Sequence, residues 1–362
     1  MLSDASVQFL VESAAYQNYL YVRDHVLKMK NLSNFASEGV SRPSQYWREE
    51  LANFDYMIDA SPLLISKLRH HTYHLTGLRV YDYRSTQERK KALFQEELNE
   101  LKKLDKDNLL IPESPILGGF GYEIDGHLYN LDTIKFYECL IALAKSRILD
   151  SFRNTNSRKT VVEIGAGWGG FAYQFKSLCP NTVYFIIDFP EVFLFSAVYL
   201  MTAFKNARTL LVATESDEEE LKNNYQAYDF VFIPQDRFNE LGDVRTDLCI
   251  NIVSFQEMTT RQVDSYAGAL FNAGCRYFYS MNRERSPHNP ELSTVSSVLS
   301  KYYRLEKIEV LGRSYLKIAP KRVLSPASLR RAVKHVLRKK SDSVHDYVHY
   351  VGYRKESLPP NE

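Results

Sequence analysis

The sequence predicts an α/β fold: a mostly parallel sheet with helices on both faces, closed by an antiparallel C-terminal hairpin strand and preceded by an N-terminal helical region. Three observations predict it. From Thr160 onward, apolar runs of strand length alternate with stretches of helical spacing. Residues 303–310 and 314–318 flank the turn Leu311-Gly312-Arg313, the pattern of a β-hairpin. From Ser6 to about Leu104, apolar residues recur at three- and four-residue intervals, as they do on one face of a helix. The chain divides into a helical region (1–110), a rim loop with a connecting helix (111–159), the α/β domain (160–320) and a basic C-terminal tail (321–362).

Composition sets the outer limits. At 362 residues, 44% hydrophobic and 25% charged, the chain is neither disordered nor fibrous. With 25 Tyr and 20 Phe against 15 Gly and 13 Pro, it has the material for well-filled cores rather than low-complexity linkers. Cys139, Cys179, Cys249 and Cys275 are far apart and form no CxxC pair, so neither a zinc knuckle nor a disulfide framework is indicated and a reducing cytosol is the default. The opening Met1-Leu2-Ser3-Asp4-Ala5 lacks the charged-then-apolar layout of a signal peptide, and a cytoplasmic location is expected. The apolar stretch 182–204 carries Asp188, Pro190 and Glu191. A central carboxylate costs about 3 kcal/mol in a membrane span, so the stretch reads as a buried strand, a turn and a buried helix.

In the helical region, His70 and His74 share a helix face beside His71, but no third ligand lies nearby and no metal site is assigned. Pro112, Pro115, Gly118, Gly119, Gly121 and Gly126 mark a rim loop before a helix starting near Asp132. Tyr122 and His127 lie in that loop, Tyr122 as a residue that could pack on an acceptor and His127 as a candidate base.

The chemistry is concentrated at strand ends. Val161-Val162-Glu163-Ile164-Gly165-Ala166-Gly167-Trp168-Gly169-Gly170 is an apolar strand opening into a glycine turn, where the backbone can bend sharply and let a ligand approach its N–H groups. Gly165, Gly167 and Gly170 satisfy GxGxxG literally, and Asp188 follows 23 residues after the first glycine, at the end of the second strand, where an acid holds ribose hydroxyls. Pro190 and Glu191 suit the first turn of the next helix, leaving Asp188 and Phe189 at the crevice. Gln235 follows the third strand at a place where an adenine edge could be read. The fourth strand runs into Ser254-Phe255-Gln256-Glu257, with Ser254 expected on the bound cofactor and Gln256 and Glu257 beside the reacting group on the acceptor side; the fifth ends in Asn282-Arg283, a pair that suits a polyhydroxylated or anionic acceptor. An alcohol acceptor needs its proton removed, and Glu257 is the first candidate base. Glu163, just ahead of the first glycine, suits a cationic sulfonium amino acid better than a pyrophosphate, which favours S-adenosylmethionine, with S-adenosylhomocysteine as product, over a dinucleotide.

These strand ends, 163–170, 187–191, 254–258 and 279–283, resemble those of the sugar O-methyltransferases, a bacterial branch of the class I S-adenosylmethionine-dependent methyltransferases. The likeness covers roughly 111–320. It implies a seven-stranded Rossmann-like sheet, donor contacts at Gly165 and Gly167 with Ala166 and Trp168 between and beside them, ribose contact at Asp188, and a hydroxyl of a sugar or glycan precursor as methyl acceptor. Plant enzymes with a related Asp-Leu-Pro element carry a catalytic His after the fourth strand; this chain has Gln256-Glu257 there. An NAD(P)-dependent oxidoreductase, from the literal GxGxxG, and a non-catalytic cofactor-binding scaffold remain as alternatives.

Net charge is +2, but residues 321–340 hold eight Lys and Arg and no acid, leaving 38 basic against 44 acidic residues elsewhere, a net −6. Leu329, Val333, Val336 and Leu337 form an apolar stripe among these cations. A basic amphipathic helix of this kind can lie on an anionic membrane surface, peripheral to its inner face, or pack on its own body with Tyr347, Tyr350 and Tyr353 continuing the contact. No nucleic-acid-binding module accompanies the basic run, so nucleic acid is not expected as a partner. The sequence is compatible with an oligomer.

Overall fold

The computed structural model describes residues 4–32, 43, 45–242, 244–285, 294–311 and 347–356. A small hairpin, β1 (Tyr122–Ile124) and β2 (His127–Tyr129), precedes the main sheet. The sheet strands are β3 (Lys159–Ile164), β4 (Thr182–Asp188), β5 (Thr209–Leu211), β6 (Phe230–Pro234), β7 (Leu248–Ile252), β8 (Tyr277–Arg283), β9 (Tyr303–Ile308) and β10 (Tyr347–Arg354). Their spatial order is β5-β6-β4-β3-β7-β8-β10-β9, parallel from β5 to β8, with β10 antiparallel to both its neighbours.

Strands β3, β4, β6 and β7 are almost continuously apolar because helices cover both faces of the sheet, leaving no solvent side to demand alternation. Phe185, Val231 and Ile187 fill one face and Tyr184, Phe230 and Ile250 the other. The N-terminal helix Ala14–Leu32 buries Tyr19, Val22, Val26 and Met29, and packs on the helix Phe193–Ala203. The Tyr19 hydroxyl donates to the Ile58 carbonyl at 2.7 Å and accepts from the Ala60 N–H at 2.9 Å. Lys30 pairs with buried Glu191 at 2.7 Å, so the helical region is clamped onto the first turn after β4.

Two details differ from expectation. The described sheet has eight strands rather than seven, because the short Thr209–Leu211 adds a strand at the far edge. The strand that closes the sheet antiparallel is Tyr347–Arg354, inserted between β8 and β9, so this stretch belongs to the sheet rather than to a tail. Alternate residues Tyr347, His349, Val351 and Tyr353 share one face, and Val351 is fully buried. The expected strand 314–318 and the basic stretch 321–340 lie outside the described residues. Among the described residues, no helix is long and apolar enough to cross a membrane, and no group of three or more His, Cys, Asp or Glu side chains is placed to hold a metal ion.

Candidate functional site

Chain order reverses at β3, with β4 on one side and β7 on the other, and a crevice opens at the carboxyl ends of these strands. The glycine turn lies there. Gly165 has φ 75° and Gly167 φ 56°, both in the left-handed region that glycine enters without steric cost. Their surroundings differ. A Cβ on Gly165 would lie 2.3 Å from Ser254 Oγ, whereas a Cβ on Gly167 would meet nothing within 4 Å and would project into open space.

Asp188, at the end of β4, accepts the Gly167 N–H at 3.0 Å and the Phe189 N–H at 2.9 Å, tying the glycine turn to the neighbouring strand. Its carboxyl is buried, which pushes its pKa up to about 7 against the pull of these backbone N–H groups. Glu163 sits deeper, 2% exposed, and accepts the Tyr184 hydroxyl at 2.9 Å. Burial first, then the charge of Asp188, raise its pKa to about 8. Glu163, Asp188 and residues 165–168 line one open chamber of about 840 Å³, together with Lys135, Phe136, Leu75, Thr76 and Tyr347. A second, narrower chamber adjoins it, bounded by Ile164, Phe189, Gln235, Met258 and Tyr266. Trp47, Gly165, Asp188 and Glu257 border both. Gln235 Oε1 is buried in the second chamber's wall without a hydrogen-bond partner.

The end of β7 is shaped by a polar knot. Asn251, fully buried, donates through Nδ2 to the Ile164 carbonyl at 2.8 Å and accepts Asn282 Nδ2 at 2.8 Å and the Phe255 N–H at 3.1 Å. Ser254 lines the larger chamber, and its Oγ donates to the same Ile164 carbonyl at 3.0 Å. Between them, Val253 adopts φ 64°, a left-handed conformation that is costly for a β-branched residue and turns the chain sharply into the segment Phe255–Glu257. Gln256 and Asn282, expected at the acceptor, are buried and line neither chamber: Gln256 Oε1 accepts the Arg283 N–H at 2.9 Å and Asn282 Oδ1 accepts the Gln256 N–H at 3.4 Å. They join the ends of β7 and β8. Arg283 also lies off the chamber walls, its guanidinium 4.8 Å from the centre of the Tyr347 ring.

Glu257 reaches the chambers' shared border. Burial and the nearby charge of Glu50 push its pKa up to about 7, while a hydrogen bond from Trp47 and the charge of Arg283 pull the other way. Trp47, from the helix Gln45–Ala52, packs its ring 5.6 Å from that of Phe189 and so stands over both chambers.

The two rim-loop residues are placed elsewhere. Tyr122 is 6% exposed in an aromatic cluster with Tyr83 and Phe94, its hydroxyl donating to the Asp82 carbonyl at 3.1 Å. His127 is exposed beside the Asp125-Gly126 turn of the small hairpin. Neither lines a chamber: the β1–β2 pairing turns Tyr122 into the hydrophobic core and leaves His127 exposed at the end of the hairpin.

The sequence reading missed a buried charge network that carries the glycine turn. Arg69, 1% exposed, donates to Glu113 at 2.7 Å and to Thr72 at 2.6 Å, and its guanidinium lies 3.4 Å from the centre of the Trp168 ring. Trp168 Nε1 donates to Asp132 Oδ2 at 3.0 Å, and Lys135 Nζ donates to Asp132 Oδ1 at 2.8 Å. Asn130 caps the helix Leu131–Lys145 through a capping box with Thr133 and donates to Glu113 at 3.0 Å. Helical region, rim loop and glycine turn thus meet at one desolvated cluster.

No family model matches the chain, and no curated protein matches it in sequence. Among solved structures it is similar to EvdMO1, at 12% identity and a TM-score of 0.35 over 72% of this chain and 47% of that one. Haemonchus contortus phosphoethanolamine N-methyltransferase 2 in complex with S-adenosyl-L-methionine matches at 10% identity and 0.33, over 61% of this chain and 57% of that one. Human N-acetylserotonin methyltransferase in complex with SAM matches at 11% identity and 0.34, over 92% of this chain and 70% of that one. The chain spans about half the length of the first two. At these similarities no residue role passes from those proteins to this chain.

Proposed function

We propose that this chain is an S-adenosylmethionine-dependent O-methyltransferase that methylates a hydroxyl of a sugar or glycan precursor. The observation that carries the reading is the order of polar groups along one cleft: Glu163, then the open backbone at Gly167, then Asp188, then the unpartnered Gln235 Oε1. A cationic amino acid, a ribose diol and an adenine amino edge require that succession. Gly167 admits a ligand against the glycine turn because nothing lies within 4 Å of its Cβ position. Phe189 and Met258 supply apolar faces for the base.

When bound, the sulfonium supplies an activated methyl for in-line displacement by an acceptor oxygen. Glu257, at the border of the two chambers, takes the acceptor's proton; a pKa near 7 leaves it substantially ionised at neutral pH and still basic enough for the transfer. Trp47, Leu75, Thr76 and Tyr347 surround the acceptor end, mixing flat apolar faces with hydroxyls, which suits a pyranose. Trp47, Leu75 and Thr76 bring the helical region to this end. Methyl transfer from labelled S-adenosylmethionine to a panel of sugars and sugar nucleotides tests the reading. Turnover on a hydroxyl that Glu257→Gln slows about 10²-fold or more is the expected result; donor binding without transfer to any acceptor would point to a scaffold.

A further inference from the structure

We propose that Lys135 receives the α-carboxylate of the donor's amino-acid end, opposite Glu163, which receives the α-ammonium. The inference rests on the donor reading above and adds a binding residue that neither the motifs nor the strand ends indicate. The donor's ammonium needs an acceptor and its carboxylate a cation; the Glu163 carboxyl offers oxygens to the first, and Lys135 is the one Lys or Arg lining either chamber among the described residues. It shares its chamber with Glu163 and the glycine turn, and its charge reaches the Glu163 carboxyl.

Lys135 is also held in place. It sits in the first turns of the helix Leu131–Lys145, whose start the capping box fixes. Its Nζ donates to Asp132 at 2.8 Å and lies 4.7 Å from the centre of the Phe136 ring. Asp132 is in turn held by Trp168 Nε1 at 3.0 Å, with Arg69 Nη2 3.9 Å away. An ammonium carries three N–H donors and Asp132 takes one, so the charge is oriented without being used up. Burial works against the charge on Lys135, but Asp132 outweighs it, raises its pKa and keeps the cation charged.

The test is calorimetric titration of the full chain with S-adenosylhomocysteine and with 5′-deoxy-5′-methylthioadenosine, which keeps the nucleoside and lacks the amino acid. Lys135→Met should weaken S-adenosylhomocysteine by about tenfold or more, the loss expected for a charge-assisted hydrogen bond, and leave methylthioadenosine unchanged. Lys135→Arg should recover most of the loss. Equal weakening of both ligands, or no weakening, overturns the proposal. A measurement on the unaltered chain does not depend on the variants folding: decarboxylated S-adenosylhomocysteine should bind about tenfold more weakly than the parent, and equal binding overturns the proposal. If the unaltered chain binds none of these ligands, the donor reading itself fails, and the role of Lys135 fails with it.

Discussion

Replacing each of two glycines of the same turn by alanine should separate stability from binding. Both positions are left-handed, so each alanine costs about 1–2 kcal/mol in backbone strain. At Gly165 the new methyl would also sit 2.3 Å from Ser254 Oγ and 2.5 Å from Ser254 Cβ, forcing apart the Ser254–Ile164 hydrogen bond. Overpacking of this kind costs a further 1–3 kcal/mol or so, giving a total of about 2–5 kcal/mol for Gly165→Ala. At Gly167 there is no such clash, and the cost stays at about 1–2 kcal/mol. For a chain of this length a kcal/mol is worth about 1–2 °C in melting temperature. Urea denaturation and thermal melting should therefore rank Gly165→Ala well below Gly167→Ala. Titration with S-adenosylhomocysteine should show Gly167→Ala losing affinity despite near-normal stability, because its methyl occupies the space the ligand requires. Equal destabilisation by the two variants would refute the packing argument. Unchanged affinity in Gly167→Ala would refute the placement of the donor.

Other outcomes follow from the same geometry. Glu257→Gln should retain S-adenosylhomocysteine binding and lose about 10²-fold or more in turnover. On the proposed mechanism, kcat of the unaltered chain should rise with pH through about 7, where Glu257 ionises, and level off above, and the Gln variant should lack that limb. Asp188→Ala should lose donor affinity measured by titration, since it removes both the proposed ribose partner and the anchor of the Gly167 N–H. Glu163, whose folded pKa is raised to about 8, binds its proton more tightly folded than unfolded; its contribution to stability is present below about pH 4.5 and is lost as pH rises through about 8. Glu163→Gln should therefore flatten the fall in melting temperature of the ligand-free protein between pH 5 and pH 8, read by calorimetry. Arg69→Met should cost about 3–5 kcal/mol in urea denaturation, because Glu113 is left buried without its cation.

The parallel core and its crevice were legible because strands buried on both faces announce themselves as apolar runs and the glycine turn follows one of them directly. Glu163, Asp188, Gln235 and Glu257 could be found from position alone, each standing at or near the end of such a run. Gln256 and Asn282 occupy equivalent positions, yet they pair across β7 and β8; which way a strand-end side chain turns depends on a neighbour that sequence does not place. Arg69, Glu113, Asp132 and Lys135 escaped notice for a related reason. Arg69 and Glu113 are 44 residues apart, and nothing in either local pattern marks a charge as buried. Arg69 stood beside His70, His71 and His74, where the histidines drew attention to metal chemistry instead. The strand Tyr347–Arg354 did carry a signal, a run of aromatic and β-branched residues, but the apparent hairpin at 303–318 competed with it for the closing position of the sheet.

The central claim, that this cleft takes a methyl donor, is tested most directly by a thermal-shift titration with S-adenosylhomocysteine beside NAD and NADP. A ligand that binds only the folded state at about 100 times its Kd adds about 2.7 kcal/mol, or about 3–5 °C for this chain. A rise of that size with S-adenosylhomocysteine and none with either dinucleotide is the expected result; a rise with NAD or NADP alone would contradict the account and make the glycine turn a dinucleotide site.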